Sequence, residues 1–266
     1  MAEKMKKEAK VLSQKMLSEG IFDLWLETEM AKDVRPGQFV GVYPENRSTL
    51  LPRPISICEV DKARSAVRLV YRVVGSGTTE FSKASEGDGL MILGPLGNGF
   101  PIDKAAGKRA VVIGGGIGVP PLLETAKRMS ELDGAEAPSK ISAVMGYRNS
   151  DTFLSDEFSK YAQMHIASED GSVGTKGNVI DAMKNGNVEC DVIFACGPMP
   201  MLKGIKAYAE SIGAKAYLSL EERMACGVGA CLGCVCKTKE VDEHSHVHNA
   251  RICTDGPVFD ADTLDL

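Results

Sequence analysis

Four cysteines near the C-terminus carry the clearest chemistry in this sequence. Three of them lie in the run ACGVGACLGC, with the spacing C-x4-C-x2-C, and the fourth lies downstream in RICTDG. This spacing is typical of plant-type 2Fe–2S sites, in which one tight loop supplies three thiolates and a separate segment supplies the last. The sequence therefore predicts electron transfer through a cluster bound by Cys226, Cys231, Cys234 and Cys253.

Three glycines separate the first three cysteines. We expect positive φ angles at Gly227, Gly229 and Gly233, because glycine reaches them without a Cβ clash and can turn backbone N–H groups toward the sulfurs. Zinc is the alternative metal, since four cysteines also bind it tetrahedrally. Structural zinc sites usually pair their cysteines in two C-x2-C-type knuckles, whereas Cys253 stands alone. The spacing therefore favours iron–sulfur over zinc.

The cluster region also contains a fifth cysteine and a histidine-rich run. Cys236 follows Cys234 by two residues and would need a second strained loop to bind, so we interpret it as non-ligating. The run EHSHVH raises the alternative of a Rieske-type site, in which two histidines replace two cysteines. Because four cysteines are already available, we expect an exposed hairpin to hold His244, His246 and His248.

Two loops in the second half are candidates for nucleotide binding. The first lies between a buried strand and a helix, where glycines let a phosphate approach and the helix N-terminus offers free N–H groups. Its residues are Gly114, Gly115, Gly116 and Gly118. The strict G-x-G-x-x-G spacing is not cleanly present, so a plain tight turn stays an alternative.

The second loop follows the strand DVIFA, at the carboxyl edge of the predicted sheet, where ligands bind in open α/β folds. Its residues are Cys196, Gly197, Pro198 and Met199. The alternative for Cys196 is a small buried thiol. Together the two loops indicate a nucleotide site more strongly than either one does.

Two segments in the first half are suited to an aromatic, phosphorylated cofactor. In the first, which we place between strands, a guanidinium suits a phosphate, a proline fixes the backbone and a serine hydroxyl can bond a ring nitrogen. Its residues are Arg53, Pro54, Ile55 and Ser56. The alternative is a turn with a surface arginine. The second segment adds an aromatic face, a cation and a close-approach glycine through Val70, Tyr71, Arg72, Gly77 and Thr78.

The elements that must position these residues fall into three stretches. Residues 1–102 contain short β-rich runs broken by turn residues, which predicts an antiparallel barrel or sandwich. Residues 103–216 alternate strands with helices, which predicts a Rossmann-like parallel sheet with helices on both faces. Residues 217–266 form a small 2Fe–2S segment.

Composition limits the compartment and the partners. The 266 residues are 44% hydrophobic and carry a net charge of −5, which argues against a nucleic-acid or anionic-membrane partner. The charged start, MAEKMKKEAK, has no apolar core of a signal peptide, and no stretch approaches the roughly 20 apolar residues of a membrane span. We therefore expect a cytoplasmic protein whose cysteines serve metal or redox chemistry rather than disulfides.

Seven segments occur in an order that resembles a known family: RPIS, YRVVGSGT, GPLGNGF, GGGIGVPPL, CGPMPML, ERMACGVGACLGC and RICTDGPVF. From about residue 10 onward the chain resembles the electron-transfer subunits of dihydroorotate dehydrogenase B, within the ferredoxin–NADP reductase-like superfamily. The resemblance implies FAD on an N-terminal barrel, with Arg53 on the pyrophosphate and Ser56 near the flavin. It also implies FAD contacts from Val70–Arg72 and from Gly77 and Thr78, NAD contacts from the two loops, and a cluster on the four cysteines.

The resemblance further implies a place in pyrimidine synthesis. Electrons would pass from the FMN of a separate dihydroorotate-oxidising subunit through 2Fe–2S and FAD to NAD, in a heterotetramer of two plus two subunits. We predict no catalytic acid or base, because the cofactors supply the chemistry. A ferredoxin–NAD(P) or sulfide-type reductase subunit with another partner is one alternative, and a zinc-stapled binding module is a second. We expect NAD rather than NADP, because Arg148, beside Asp151, is the only cation in MGYRNSDTF.

Overall fold

Six antiparallel strands in the N-terminal part of the chain close into a barrel. They are β1 (Met5–Ser18), β2 (Ile21–Glu27), β3 (Phe39–Tyr43), β4 (Arg53–Asp61), β5 (Ala66–Arg72) and β6 (Gly89–Leu96). In this computed structural model, which describes residues 4–46, 49–242 and 246–266, the neighbouring strands follow the order β1-β2-β5-β4-β3-β6. Residues two apart on a strand share a face, so Leu24 and Leu26 both point into the barrel core.

Strands β4 and β5 pair over only part of their length. Their antiparallel register runs from Asp61–Ala66 to Ile57–Leu69. Beyond it, β4 continues beside β3 and β5 continues beside β2. The barrel wall therefore opens between the start of β4 and the end of β5, and the short helix α1 (Ser76–Phe81) follows β5 at this opening.

The remaining strands form a second sheet and a small hairpin. They are β7 (Arg109–Gly115), β8 (Lys140–Tyr147), β9 (Gln163–Ser168), β10 (Thr175–Lys176), β11 (Val192–Cys196), β12 (Lys215–Ser219), β13 (Val235–Lys237), β14 (Asn249–Arg251) and β15 (Val258–Asp260). The sheet has the order β10-β9-β8-β7-β11-β12-β15 and is parallel except for β15. Because the chain builds outward from β7 and then returns to add β11 beside it, the strand order reverses between β7 and β11.

Four helices connect the strands of this sheet. They are α2 (Pro121–Ser130), α3 (Ser155–Phe158), α4 (Val179–Asn185) and α5 (Met199–Ile212). The buried residues of α2 pack with one face of the sheet, in the cluster that contains Val112 and Phe194. Those of α4 and α5 pack with the other face, in the cluster that contains Val111 and Ile193. The alternation of inward residues along β7 and β11 therefore gives one core on each side of the sheet.

The C-terminal segment is attached to both larger parts. Strand β15 pairs antiparallel with β12. The Asn98 side chain, in the loop after β6, donates hydrogen bonds of 2.9 and 2.7 Å to the Asp255 and Val258 carbonyls. Strands β13 and β14 form the antiparallel hairpin that leads from Cys234 to Cys253. The cysteine loop is thus held at both of its ends.

The predicted barrel, parallel sheet and C-terminal segment are confirmed, and one local expectation is corrected. Residues Arg53–Ser56 do not lie between strands but begin β4, where Gly41 on β3 pairs with Pro54. The boundary at residue 102 falls at the 3-10 turn Ile102–Ala105, and the boundary at 216 falls inside β12. The three-part division stays a prediction. Within the described ranges, no helix has the length and apolarity to cross a membrane.

Candidate functional site

The two segments predicted to bind the flavin cofactor flank the opening in the barrel wall. Arg53–Ser56 are the residues of β4 beyond its last pair with β5, and Val70–Arg72 are the residues of β5 beyond the same pair. Along the edges that face the opening, the residues of β4 and β5 in these two segments are not paired with each other. Backbone groups at such an opening can bond a ligand, since strand N–H and C=O groups need partners.

Arg53 and the segment after β5 come together at this opening. A Cβ built on Gly77 would lie 2.6 Å from Nε of Arg53, so only glycine lets the guanidinium rest there. Thr78 shapes the adjoining loop: its Oγ1 accepts from the Val74 N–H at 2.9 Å and donates to the Gly75 carbonyl at 3.0 Å. The arrangement leaves a planar guanidinium, half-buried, beside a glycine that allows close approach. This is a suitable cradle for a phosphate.

The aromatic face expected from Tyr71 is not available to a ligand. Its ring is 2% exposed, stacks on Phe22 and meets Phe81 edge-on, and its hydroxyl donates to Gln14 at 2.9 Å. The expectation was wrong because side chains alternate along a strand, and Tyr71 falls on the barrel-core face. Val70, on the opposite face, is also buried, so these two residues can offer only backbone groups to a cofactor.

The two loops predicted to bind nucleotide meet at the carboxyl edge of the parallel sheet. Gly114, near the end of β7, pairs with Cys196 at the end of β11. A Cβ on Gly118 would lie 2.4 Å from the Cys196 carbonyl oxygen and 2.6 Å from Cα of Gly197. The glycine at 118 is therefore required by close backbone packing. The loops lie where the strand order reverses, the position at which open α/β sheets bind ligands.

The expected free N–H groups after the glycine run are absent from the helix start. A 3-10 turn, Gly116–Gly118, separates β7 from α2, and Pro120 and Pro121 begin the helix without N–H groups. The next two N–H groups, of Leu122 and Leu123, donate to the Val119 and Pro120 carbonyls. The expectation was wrong because these prolines remove two donors and local carbonyls take the others.

The other nucleotide loop is more open. Pro198 and Met199, at the start of α5, are exposed, whereas Cys196 is 1% exposed. Burial raises the pKa of the Cys196 thiol to about 12, and the nearby Glu221 carboxylate adds to this effect. Cys196 is thus the buried thiol of the alternative interpretation. Its backbone, rather than its sulfur, is placed toward the glycine run.

The four candidate cluster ligands form two pairs of thiols. Cys226 and Cys231 are in hydrogen-bond contact, as are Cys234 and Cys253. The first pair lies toward the surface, with Cys231 exposed, and the second is buried, at 2% and 1% exposure. Among the described residues, no group of three His, Cys, Asp or Glu side chains surrounds one metal-ion position. A 2Fe–2S cluster divides its ligands between two irons, and two thiol pairs fit that division.

Backbone N–H groups point at the outer pair. The Val228 N–H donates to the Cys226 sulfur at 3.4 Å. Burial opposes ionisation of this thiol, but N–H groups of Val228, Cys231 and Ala230 outweigh it and lower the Cys226 pKa to about 6. For Cys253, burial and the hydrogen bond with Cys234 raise the pKa to about 12. The loop therefore favours the thiolate form at its outer end.

The φ angles of the loop match the prediction at two glycines and differ at the third. Gly227 and Gly229 have φ of 69° and 87°, but the third positive φ, of 54°, belongs to Leu232 rather than Gly233. At Gly233 a Cβ would lie 3.4 Å from the Cys231 sulfur, an ordinary contact, so packing does not require glycine there. The turn into Cys234 is made one residue earlier than the pattern suggested.

The predicted hairpin is confirmed, and Cys236, His246 and His248 lie on it. Cys236 is half-buried on β13 opposite Ala250, and burial raises its pKa to about 11. His246 and His248 are exposed between β13 and β14, as expected. His244 lies outside the described residues. That Cys236 does not bind the cluster stays a prediction.

The inner thiol pair belongs to a buried cluster that extends to the barrel near the segment predicted to bind the flavin. Cys234 and Cys253 share a buried cluster with Phe39 of β3 and Leu96 of β6. Phe39 pairs with Ser56 in the barrel register. The sequence analysis did not single out Phe39 or Asn98, although GPLGNGF was noted as a motif. Their roles depend on contacts between distant segments.

The flavin and nucleotide segments also contact each other. Strand β5 contacts the Gly116–Gly118 turn. Val70 of β5 packs in the same buried cluster as Val119 and Cys196. The three candidate sites are therefore adjacent in the order nucleotide loops, barrel opening, cysteine loop. This is the order that electron transfer requires.

Comparisons with known proteins agree with this arrangement. Residues 221–265 match the iron–sulfur cluster binding domain of dihydroorotate dehydrogenase B, and residues 112–207 match the oxidoreductase NAD-binding domain. The chain is 45% identical over 262 residues to the dihydroorotate dehydrogenase B (NAD(+)) electron transfer subunit of Listeria monocytogenes serotype 4a, spanning 97% of this chain and 98% of that protein. The chain belongs to this family. The subunit of Lysinibacillus sphaericus is 42% identical over 261 residues, spanning 97% of each chain.

Solved structures show the same fold. An NADH-dependent reduced ferredoxin-NADP oxidoreductase has a TM-score of 0.83 at 28% identity, over 97% of this chain and 89% of that one. A ferredoxin NADP+ reductase from Neisseria gonorrhoeae, with bound FAD and NADP, has a TM-score of 0.65 at 15% identity, over 82% of this chain and 94% of that one. The chain thus shares with these oxidoreductases a fold in which a barrel precedes a parallel sheet.

Replacing Arg53 with Ala should weaken FAD binding more than it disturbs folding. The change removes a charge-assisted contact to phosphate of about 1.5–3 kcal/mol, which corresponds to roughly a tenfold to hundredfold rise in Kd. FAD titration followed by flavin fluorescence measures this, with the exposed Arg35→Ala as control. Unchanged FAD affinity in Arg53→Ala would show that the flavin site is misplaced.

Replacing Cys253 with Ser should remove the 2Fe–2S absorbance or leave a weakened spectrum. The buried half of the ligand set would then contain one thiolate, whereas a 2Fe–2S cluster needs two on each iron. Cys236→Ser is the matched control and should keep a normal cluster, and both variants should retain FAD. Iron and sulfide assays decide between the two cysteines: a requirement for Cys236 and not Cys253 contradicts the assignment.

Proposed function

We propose that this chain is the electron-transfer subunit of a dihydroorotate dehydrogenase B. It passes electrons from the FMN of a dihydroorotate-oxidising subunit, through 2Fe–2S and FAD, to NAD in pyrimidine synthesis. The observation that carries the proposal is the orientation of the cysteine loop. Its inner thiol pair is buried in the cluster that includes Phe39 and Leu96 of the barrel, and its outer pair is more exposed.

Each cofactor has residues of this chain that fit it. Arg53–Ser56, the backbone of Val70–Arg72, and Gly77 with Thr78 would hold FAD at the barrel opening, with the Arg53 guanidinium on the pyrophosphate. The glycine run and the loop after β11 would hold NAD against the same opening. Cys226 and Cys231 would bind the outer iron, and Cys234 and Cys253 the inner iron.

The protein's own contribution is to orient and separate these groups. When bound, FAD exchanges two electrons with a nicotinamide and one at a time with an iron–sulfur cluster, so it links the two sites. The inner thiols are buried in one apolar cluster with Phe39 and Leu96 of the barrel. Gly118 lets the two nucleotide loops close on each other. The Val228 N–H stabilises negative charge on the Cys226 sulfur.

Exposed apolar residues lie close to the outer thiol pair in the sequence and are suited to a protein partner. Val228, Leu232 and Val235 are 42%, 50% and 38% exposed, and all three lie within ten residues of the outer thiols. Apolar groups at such a position favour a protein–protein contact. This supports docking of the catalytic subunit over the outer iron, and we propose a complex of two copies of each subunit.

Reconstitution tests this function. The native complex should contain an FMN-binding second chain, and dihydroorotate should reduce NAD only when both chains are present. Leu232→Glu should weaken assembly because it places a charge in the apolar contact, whereas Ile212→Glu, an equally exposed apolar position at 44% before β12, should not. Co-purification with a ferredoxin or another oxidoreductase, and no NAD reduction by dihydroorotate, would favour the alternative reductase function.

The nucleotide should be NAD rather than NADP. Arg148 is exposed after β8, but the Glu169 and Asp170 N–H groups bond the Tyr147 and Arg148 carbonyls at 3.1 and 3.3 Å. This brings two exposed carboxylates beside the single arginine, and they disfavour a 2′-phosphate. The kcat/KM for NADH should exceed that for NADPH at least tenfold, or about 1.4 kcal/mol. A tenfold preference for NADPH contradicts the assignment.

A further inference from the structure

A network of ion pairs joins the barrel to the nucleotide-binding sheet, away from the three cofactor sites. Its centre is Arg68 of β5, whose side chain is 5% exposed. Arg68 donates to both carboxylate oxygens of Asp23 on β2, at 2.8 and 2.9 Å. It also donates to Glu157 on α3, at 2.5 and 3.0 Å, and so reaches across to the other domain.

Helix α2 makes a second set of contacts across the same boundary. Lys127 donates to Glu59 of β4 at 2.9 Å, and Glu59 also accepts from Arg68 at 3.2 Å. The Glu124 carboxylate, 1% exposed, accepts from the Val60 N–H at 3.0 Å. We call this set the ion-pair joint and define it as Asp23, Glu59, Arg68, Glu124, Lys127 and Glu157.

Three of the five elements in the joint, β4, β5 and α2, carry or adjoin a candidate cofactor segment. Strand β4 begins with Arg53–Ser56 and reaches the joint at Glu59. On β5, Arg68 precedes the flavin segment Val70–Arg72 by two residues, or roughly 7 Å of strand. Helix α2 follows the glycine run through the Gly116–Gly118 turn. A shift at the joint is therefore transmitted to the flavin side, the nucleotide side, or both.

Stability alone does not account for the joint. A buried ion pair is often no more stabilising than well-packed apolar residues, because desolvation of the charges offsets their attraction. Contacts between domains of one chain also permit relative motion unless the interface is large and apolar. Directional bonds from one guanidinium to two domains do what apolar packing does not, since they specify a single relative orientation.

We propose that the ion-pair joint fixes the distance and angle between the flavin and the nicotinamide, and that Lys127 and Glu157 are positioning residues for NADH oxidation. This rests on the proposed function, in which NADH and FAD react at the barrel opening: NADH loses two electrons and one proton, and FAD gains them. The rate of such a step depends steeply on the approach of the two rings. Neither residue belongs to a cofactor segment, so both act through β4, β5 and α2.

The test uses a double variant of the two half-exposed members, because removing Arg68 would strand buried carboxylates. In Lys127→Met/Glu157→Gln, anaerobic stopped-flow reduction of bound FAD by NADH should be about tenfold slower per bound FAD. The NADH concentration for half-maximal rate and the FAD content should stay within twofold of the parent. The long-wavelength absorbance of NAD stacked on reduced FAD should also weaken.

Two variants separate positioning from general loss of charge. Glu189→Gln removes a Glu–Arg contact of 2.8 Å within the nucleotide domain and should keep the parent rate. Lys127→Arg keeps a cation within reach of Glu59, so this variant should also reduce FAD at the parent rate. If the double variant fails to retain FAD, Lys127→Met alone is measured in the same way, with the same expectation.

Two results would overturn the proposal, and they are distinguishable. If FAD is reduced in the double variant at the parent rate, the ion-pair joint has no positioning role, and the proposed function is unaffected. If NADH does not reduce FAD in the parent, the proposed function is wrong. The positioning role of the ion-pair joint, which depends on that reaction, is then wrong as well.

Discussion

The antiparallel pairing of β15 with β12 is the constraint on which the arrangement of the sites depends. It returns the chain to the nucleotide-binding sheet, with a further hydrogen bond of 2.9 Å from the Leu220 N–H to the Pro257 carbonyl. The intervening residues are thereby closed into a loop whose two ends are adjacent. A loop with fixed ends loses less entropy on ordering than a free tail, so a small metal-binding segment can hold one conformation. Within that loop, the β13–β14 hairpin brings Cys253 beside Cys234, with a hydrogen bond of 2.8 Å from the Ile252 N–H to the Cys234 carbonyl.

The same closure leaves one thiol pair of the cysteine loop buried and the other more exposed. Asn98 holds the stretch from Asp255 to Val258 against the barrel, so the second thiol pair is buried beside Phe39 and Leu96. The first pair is left in a turn of glycines and exposed apolar residues. The difference in burial also separates the thiols chemically, with the Cys226 pKa lowered by backbone N–H groups and the Cys253 pKa raised by burial. One geometric feature thus sets both the burial and the acidity of the two thiol pairs.

The barrel and the sheet are related by polar contacts as well as by packing. The apolar cluster containing Val70, Val119 and Cys196 brings flavin and nucleotide segments into contact, but apolar packing tolerates small slides. The directional hydrogen bonds of Arg68 to Asp23 and Glu157 do not tolerate such slides. The candidate flavin and nucleotide sites offer few side chains. Glycines, prolines and strand backbone shape them, and this agrees with chemistry that the cofactors supply.

Much of the fold and site could be predicted from the sequence because it is encoded locally. Cysteine spacing, strand and helix periodicity, and turn glycines each depend on a few neighbouring residues, and they predicted the barrel, the parallel sheet, the hairpin after Cys234 and the candidate ligand set. Errors arose where a neighbouring element decided the outcome. Tyr71 faces the barrel core, Arg53–Ser56 extend a strand, and Pro120 with Pro121 remove the expected helix donors.

Tertiary structure alone decided which distant segments meet. The division of the thiols into an inner and an outer pair, the opening between β4 and β5, the contact of Gly118 with Cys196, and the ion-pair joint all join residues far apart in the chain. Local patterns cannot specify them, because a residue's partner across a sheet or domain boundary depends on register and on the packing of whole elements. The sequence by itself determined which groups are present. The register of the strands decided where they act.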